Sequence, residues 1–225
     1  MSVYVLVHGA GHGAWCWERT EQDLAAHGHR AVSVDLPLTG LDDDAATVRR
    51  CLDDVGESVI LVGHSYGGLV ISQAASGRSD VSQLVYVAAL LVGASEDVMT
   101  LIGQFPVTPL MEQTEYATDG SMILTPAATI ECLYNETPME LARAASLRMR
   151  PTAAAGMVTS PGDDPWRSIP TTYIVCERDR AISPELQRAM AQHAGRVEIM
   201  DTDHSPFASK PEEFGRLLAG LAEPR

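Results

Sequence analysis

The chain has 225 residues, 45% hydrophobic and 20% charged, proportions that exclude a disordered chain or a coiled coil and allow one domain with a sizeable core. Thirty acidic against sixteen basic residues give a formal charge of −14 with no Lys/Arg cluster, so neither a nucleic-acid nor an anionic-membrane surface is expected and a small-molecule partner fits better. The cysteines Cys16, Cys51, Cys132 and Cys176 form no CxxC pair and no Cys/His ligand pattern; they are expected to be reduced core residues, with no disulfide, metal or cofactor.

The chain opens Met1-Ser2-Val3-Tyr4-Val5-Leu6-Val7-His8, without a basic leader region and with an apolar run too short for a secretory signal, so a first strand over Val3 to Val7 and a cytoplasmic protein are expected. No stretch approaches the roughly 18 apolar residues of a membrane helix. A glycine-rich loop follows, His8-Gly9-Ala10-Gly11-His12-Gly13. Further short apolar, β-branched runs lie at Ala31 to Asp35, Val59 to Val62, Leu84 to Val87, Thr172 to Val175 and Val197 to Met200. Unbroken runs of this kind mark parallel strands covered on both faces. Helical stripes fall between and after them, at Val48, Cys51, Leu52, Val55 and at Phe214, Leu217, Leu218, Leu221. Alternating strand and helix predicts a doubly wound α/β sheet of about six parallel strands, with the site at their carboxyl ends.

The alternation lapses near the middle, which divides the chain into a core of residues 1–89 and 166–225 and an insertion of residues 90–165. The insertion carries Met99, Leu101, Ile102, Phe105, Leu110, Met111, Met122, Leu133, Met139, Leu147, Met149 and Met157, and is read as a helical cap over the site; an ordinary helical excursion completing the core is the alternative. Thr125-Pro126 offers an N-cap with proline at N1, and Thr137-Pro138-Met139-Glu140 a capping box. Asn135-Glu136-Thr137 has the form of a glycosylation acceptor but reads as the join between two cap helices, and Arg143, Arg148 and Arg150 read as a solvated helix face or a carboxylate site.

The most informative segment is Val59 to Ile71, a strand, then Gly63-His64-Ser65-Tyr66-Gly67, then a helical pattern. A serine on so sharp a turn needs glycine at its flanks, and Gly63 and Gly67 supply it, so Ser65 is the expected nucleophile. Its proton needs a base. Of seven histidines, His193, His27 and His29 lie in or beside helices, and the side chain of His64 is expected to point away from the base position; His204 follows the last strand and is the expected base. The acid that orients it is sought between serine and histidine: Asp179 is best placed, with Glu177, Glu96 and Asp97 as competitors. The backbone N–H of Tyr66 and one from the glycine-rich loop, chosen as that of Ala10, are expected to hold an oxyanion. A phosphate loop is excluded, since the segment has no G-x-G-x-x-G register and no Lys-Ser/Thr ending.

Together, Val7-His8-Gly9-Ala10-Gly11-His12-Gly13-Ala14-Trp15-Cys16-Trp17, Gly63-His64-Ser65-Tyr66-Gly67-Gly68, Val175-Cys176-Glu177-Arg178-Asp179 and Asp203-His204-Ser205-Pro206 resemble the plant methylesterase and hydroxynitrile lyase branch of the α/β hydrolases and its bacterial esterase relatives. The resemblance implies a triad of Ser65, Asp179 and His204, an oxyanion hole at Ala10 and Tyr66, and substrate contacts at Gly9, Ala10, Ser65, Tyr66 and His204. Where the lyases of that branch carry a threonine and a lysine, this chain has Gly9 and Ser205, which favours ester hydrolysis. The expected activity is a serine carboxylic-ester hydrolase acting on a small, largely apolar ester, methyl or aromatic. A non-hydrolytic cyclase or lyase, or a ligand-binding receptor on the same triad, is the alternative. Oligomeric state is not encoded in any motif, and a homodimer is compatible with the sequence.

Overall fold

The computed structural model describes residues 1–222. Its strands are β1 (Val3–Val7), β2 (Arg30–Val34), β3 (Val59–His64), β4 (Val81–Val87), β5 (Glu115–Tyr116), β6 (Ser121–Ile123), β7 (Thr152–Ala153), β8 (Thr171–Cys176) and β9 (Arg196–Met200). Six of them form the central sheet in the order β2-β1-β3-β4-β8-β9, every adjacent pair parallel. These are the six runs expected from the sequence, with ends shifted by at most three residues. Every residue of β1, β3 and β8 is buried. Successive side chains of a strand point to opposite faces, so an unbroken buried run requires cover on both.

The helices α1 (Glu18–Ala26), α2 (Leu41–Val55) and α3 (Gly67–Ala75) precede the insertion. Within it lie α4 (Val98–Ile102), α5 (Pro109–Gln113), α6 (Pro126–Leu133), α7 (Met139–Ser146) and α8 (Ala154–Val158), and after it α9 (Pro184–Met190), α10 (Pro206–Ser209) and α11 (Pro211–Leu221). Helix α1 packs on α11, and α2 on α3. The buried Tyr4 hydroxyl donates to Leu218 O at 2.7 Å, fastening α11 to β1. The four cysteines are free, three of them buried and Cys51 half-buried.

The insertion is mainly helical and adds something periodicity did not reveal, an antiparallel sheet ordered β5-β6-β7. Strands of two or three residues are too short to carry an alternation. Helix α6 starts as expected, with Thr125 Oγ1 accepting from Ala128 N–H at 3.2 Å and Pro126 in the first turn. The capping box expected on Thr137 does not form. Pro138 caps α7 instead, because the Thr137 hydroxyl donates to the buried carboxylate of Asp203 at 3.0 Å.

The join of β3 to α3 sets the tightest packing near the site. A Cβ on Gly67 would stand 2.7 Å from Val7 O and 2.8 Å from His8 O, so the start of α3 is pressed directly on the end of β1. A Cβ on Gly63 would meet the Gly67 carbonyl carbon at 2.8 Å. Gly67→Ala is therefore expected to destabilise the fold by about 1–3 kcal/mol, as overpacking against backbone does; an unchanged urea midpoint would contradict this packing.

Candidate active site

Ser65 has φ +55°, a left-handed conformation that a non-glycine residue holds only where its surroundings dictate it. Here both of its peptide groups are taken. Its N–H donates to Val87 O at 3.1 Å, and its carbonyl accepts from Gly68 N–H and Leu90 N–H, each at 3.0 Å. The side chain is left half-exposed where β3 gives way to α3, and among the described residues its hydroxyl makes no hydrogen bond.

His204 and Asp179 leave the carboxyl ends of β9 and β8. His204 Nδ1 lies 2.6 Å from Asp179 Oδ2, and both side chains are out of solvent. The same carboxylate accepts from Ala181 N–H at 2.6 Å, Ile182 N–H at 3.0 Å and the Gln187 amide at 2.7 Å. An ionised carboxylate only accepts, so Nδ1 of His204 carries the proton and Nε2 is left basic. Gln187, fully buried, also accepts from Cys176 N–H at 2.9 Å; no motif announced it, since its role depends on α9 folding back over the end of β8. The competing acids have other partners: Glu177 pairs with Arg188, Glu96 accepts from Gly93 N–H, and Asp97 caps α4. His64 corrects the expectation drawn from sequence. Its ring lies against that of His204, centroids 4.6 Å apart, and its Nε2–H donates to His204 O at 2.8 Å, which braces the loop after β9.

Asp203 fastens that loop to the turn between α6 and α7. Its fully buried carboxylate accepts from Glu136 N–H at 2.9 Å, the Thr137 hydroxyl at 3.0 Å, Ser205 N–H at 3.1 Å and the Ser209 hydroxyl at 2.7 Å. Burial holds its carboxyl above the usual carboxylate range.

The glycine-rich loop lies against the serine: a Cβ on Gly9 would stand 2.7 Å from Ser65 Cβ. The Gly9 carbonyl accepts from His8 Nδ1 at 2.8 Å and from His12 N–H at 3.3 Å, while His8 Nε2 accepts from Leu36 N–H at 3.0 Å. No peptide among the described residues is cis, so pinning this carbonyl turns the Ala10 N–H to the opposite side. The N–H groups of Ala10 and Tyr66 have no acceptor among the described residues, although both residues are buried. Buried backbone donors are nearly always paired, so two free ones beside one serine suit a negatively charged oxygen. The Tyr66 hydroxyl donates at 2.7 Å to the buried Asp44, whose other oxygen accepts from Leu38 N–H at 2.8 Å. Burial raises both groups.

A cavity of about 300 Å³ opens over Ser65 and Tyr66. Much of its wall comes from apolar residues of the insertion: Met99, Ile102, Phe105, Leu110, Met111, Met122 and Met157. Of the expected substrate contacts, Gly9, Ala10 and His204 are buried outside that wall. Ala181, Ile182, Ser183 and Leu186 after β8 also line it, without a signal in the sequence. Among the described residues no charged side chain does. The hydroxyls of Thr108 and Thr114 donate to backbone carbonyls of Ala181 and Leu110, and Ser183 Oγ accepts from Leu186 N–H. A larger depression, about 770 Å³, lies at the opposite, amino ends of the strands, away from Ser65.

A sequence profile described as "Alpha/beta hydrolase family" matches residues 4–217. The chain is 34% identical to Methylesterase 7 of Arabidopsis thaliana, over 98% of this chain and 96% of that protein. It is 31% identical to Methylesterase 18 of the same plant, over 97% and 96%. Among solved structures, polyneuridine aldehyde esterase superposes with a TM-score of 0.87 at 22% identity, covering 99% of this chain and 100% of that one.

The buried histidines around the site set its response to acid. His12 and His64 meet edge to face at 5.6 Å. Burial, then neighbouring histidines, pushes His12 down to about 3 and His64 well below its ordinary value. Between that value and about 6.5 the unfolded chain binds protons that the fold refuses, so stability is full above 6.5 and is lost as pH falls, by up to about 1.4 kcal/mol per pH unit for each such histidine. Asp44 and Asp203, raised by burial, act in the opposite sense. His12→Gln is therefore expected to flatten the fall of the urea midpoint between pH 6.5 and 3; parallel profiles would show that His12 charges freely in the fold.

Proposed function

The chain belongs to the alpha/beta hydrolase family, and on that premise we propose that it is a carboxylic-ester hydrolase working through an acyl-enzyme on Ser65, with His204 as base and Asp179 as its orienting acid. The observation that carries this reading is one serine, held in a strained turn between two free N–H donors, at the wall of an apolar cavity, with a histidine–carboxylate pair leaving neighbouring strands.

His204 Nε2 takes the Ser65 proton as Oγ attacks the ester carbonyl carbon, and the N–H groups of Ala10 and Tyr66 hold the oxygen that becomes negative. The carbon–oxygen bond to the alcohol breaks, with His204 returning the proton to the leaving alcohol. Water, deprotonated by the same nitrogen, then cleaves the acyl-enzyme and releases the acid. The ester is neutral and largely apolar beyond its carbonyl, because a charge in this cavity would lose water and gain no partner, and the chain's net charge of −14 opposes anions. Two relatives carry the name methylesterase, which supports a small alcohol group. Gly9 and Ser205 offer no replacement for the threonine and lysine of the lyases, so hydrolysis is preferred over that chemistry.

Ser65→Ala is expected to abolish both turnover of a chromogenic short-chain ester and labelling by a fluorophosphonate; retained turnover would sink the mechanism. Asp179→Asn should lower kcat by about a hundredfold or more, since it favours the wrong histidine tautomer. Among methyl esters of matched size, one bearing a distal carboxylate should show a kcat/KM lower by roughly a hundredfold than its neutral counterpart, the cost of an unpaired buried charge. Equal rates would overturn the substrate class.

A further inference from the structure

The loop that carries the Ala10 N–H has glycine at 9, 11 and 13, which leaves its backbone little stiffness of its own. Its four successive carbonyls are nevertheless all occupied. That of Gly9 is held from within the core, by His8 and by the His12 N–H. The other three depend on residues of the insertion.

The Ala10 carbonyl, 3.1 Å from His12 Nδ1, can only accept, so that nitrogen carries the ring proton and Nε2 is an acceptor. Nε2 is met at 2.7 Å by the hydroxyl of Tyr134, the residue that ends α6. The Gly11 carbonyl accepts from Arg150 N–H at 2.8 Å, and the Gly11 N–H donates to Thr152 Oγ1, on β7, at 2.8 Å. The His12 carbonyl accepts from Nε and Nη2 of Arg150 at 3.1 and 2.9 Å. Nη2 continues to Leu36 O at 3.1 Å and to Asp35 at 3.0 Å, so the guanidinium spans from the loop to the segment after β2. His12, Tyr134 and Thr152 are all buried, and water cannot substitute for these contacts.

We infer that Tyr134, Arg150 and Thr152 of the cap are positioning residues for the oxyanion donor at Ala10, so that the cap aims the catalytic backbone as well as walling the cavity. The inference rests on the proposed role of the Ala10 N–H. A donor displaced by a fraction of an ångström binds substrate as before and stabilises the transition state less, so the loss falls on kcat rather than KM.

The test uses Thr152→Val and Tyr134→Phe, which remove one hydroxyl each at almost constant shape, with Thr152→Ser as the conservative variant. For a p-nitrophenyl ester, each of the first two should lower kcat roughly tenfold to a hundredfold with KM within about twofold. Each should weaken inhibition by a trifluoromethyl ketone, whose Ser65 adduct bears the oxyanion, in the same proportion, with Tm within a few degrees of the parent. Thr152→Ser should restore kcat. Unchanged kcat, a loss confined to KM, or a Thr152→Ser variant as slow as Thr152→Val would overturn the inference; if Thr152→Val does not fold, Tyr134→Phe decides alone. Ser65→Ala still turning over would instead overturn the esterase reading.

Discussion

Ser65 holds its left-handed backbone because Val87 takes its N–H while Leu90 and Gly68 take its carbonyl, so the turn between β3 and α3 has one way to satisfy its peptide groups. Much of the site follows from that turn. It presses α3 onto the end of β1, which demands glycine at 67, and it sets the side chain of Ser65 against the backbone of Gly9. Because the six main strands are parallel, the loops leaving β1, β3, β8 and β9, which carry Ala10, Ser65, Asp179 and His204, emerge on one side of the sheet.

Three buried aspartates show how environment divides one residue type into different roles. Asp179 receives four hydrogen bonds, three of them from its own loop and α9, and the fourth fixes the tautomer of His204. Asp203 receives its bonds from two sides of a seam, the turn between α6 and α7 and the loop around His204, and so joins them. Asp44 receives a phenol and one peptide N–H, and burial outweighs both to raise its carboxyl. The net charge of −14 says nothing of this division, which is set by partners rather than by count.

What could be read in advance was what the backbone itself demands. Val3–Val7 and Val59–His64 announce buried strands by composition, and Gly63 and Gly67 announce a turn that only small residues allow. Strand order then pointed to the loops of Asp179 and His204, which the fold brings within 2.6 Å. Illegible features depend on contacts between distant segments. Gln187 matters only once α9 lies over β8, Thr137 forsakes its capping box only because Asp203 is near, and His64 turns to His204 across 140 positions of chain. The insertion's methionines were visible as apolar content, but which of them face the cavity was not: Met99 and Met157 line it, whereas Met139 stands exposed on α7.

The fastening of the insertion at Asp203 and along the Gly9 to Gly13 loop also bears on how such proteins can be recombined. A graft that exchanged this insertion for a foreign one while keeping the sheet would strip donors from a fully buried carboxylate and leave the Gly11 peptide unpaired at both ends. Buried polar groups without partners cost about 1–3 kcal/mol apiece, so several lost together approach the whole stability of a domain. The insertion is therefore not an interchangeable module: a chimera that altered specificity by swapping it would have to carry matching residues at 12 and 203, so specificity and scaffold are inherited together.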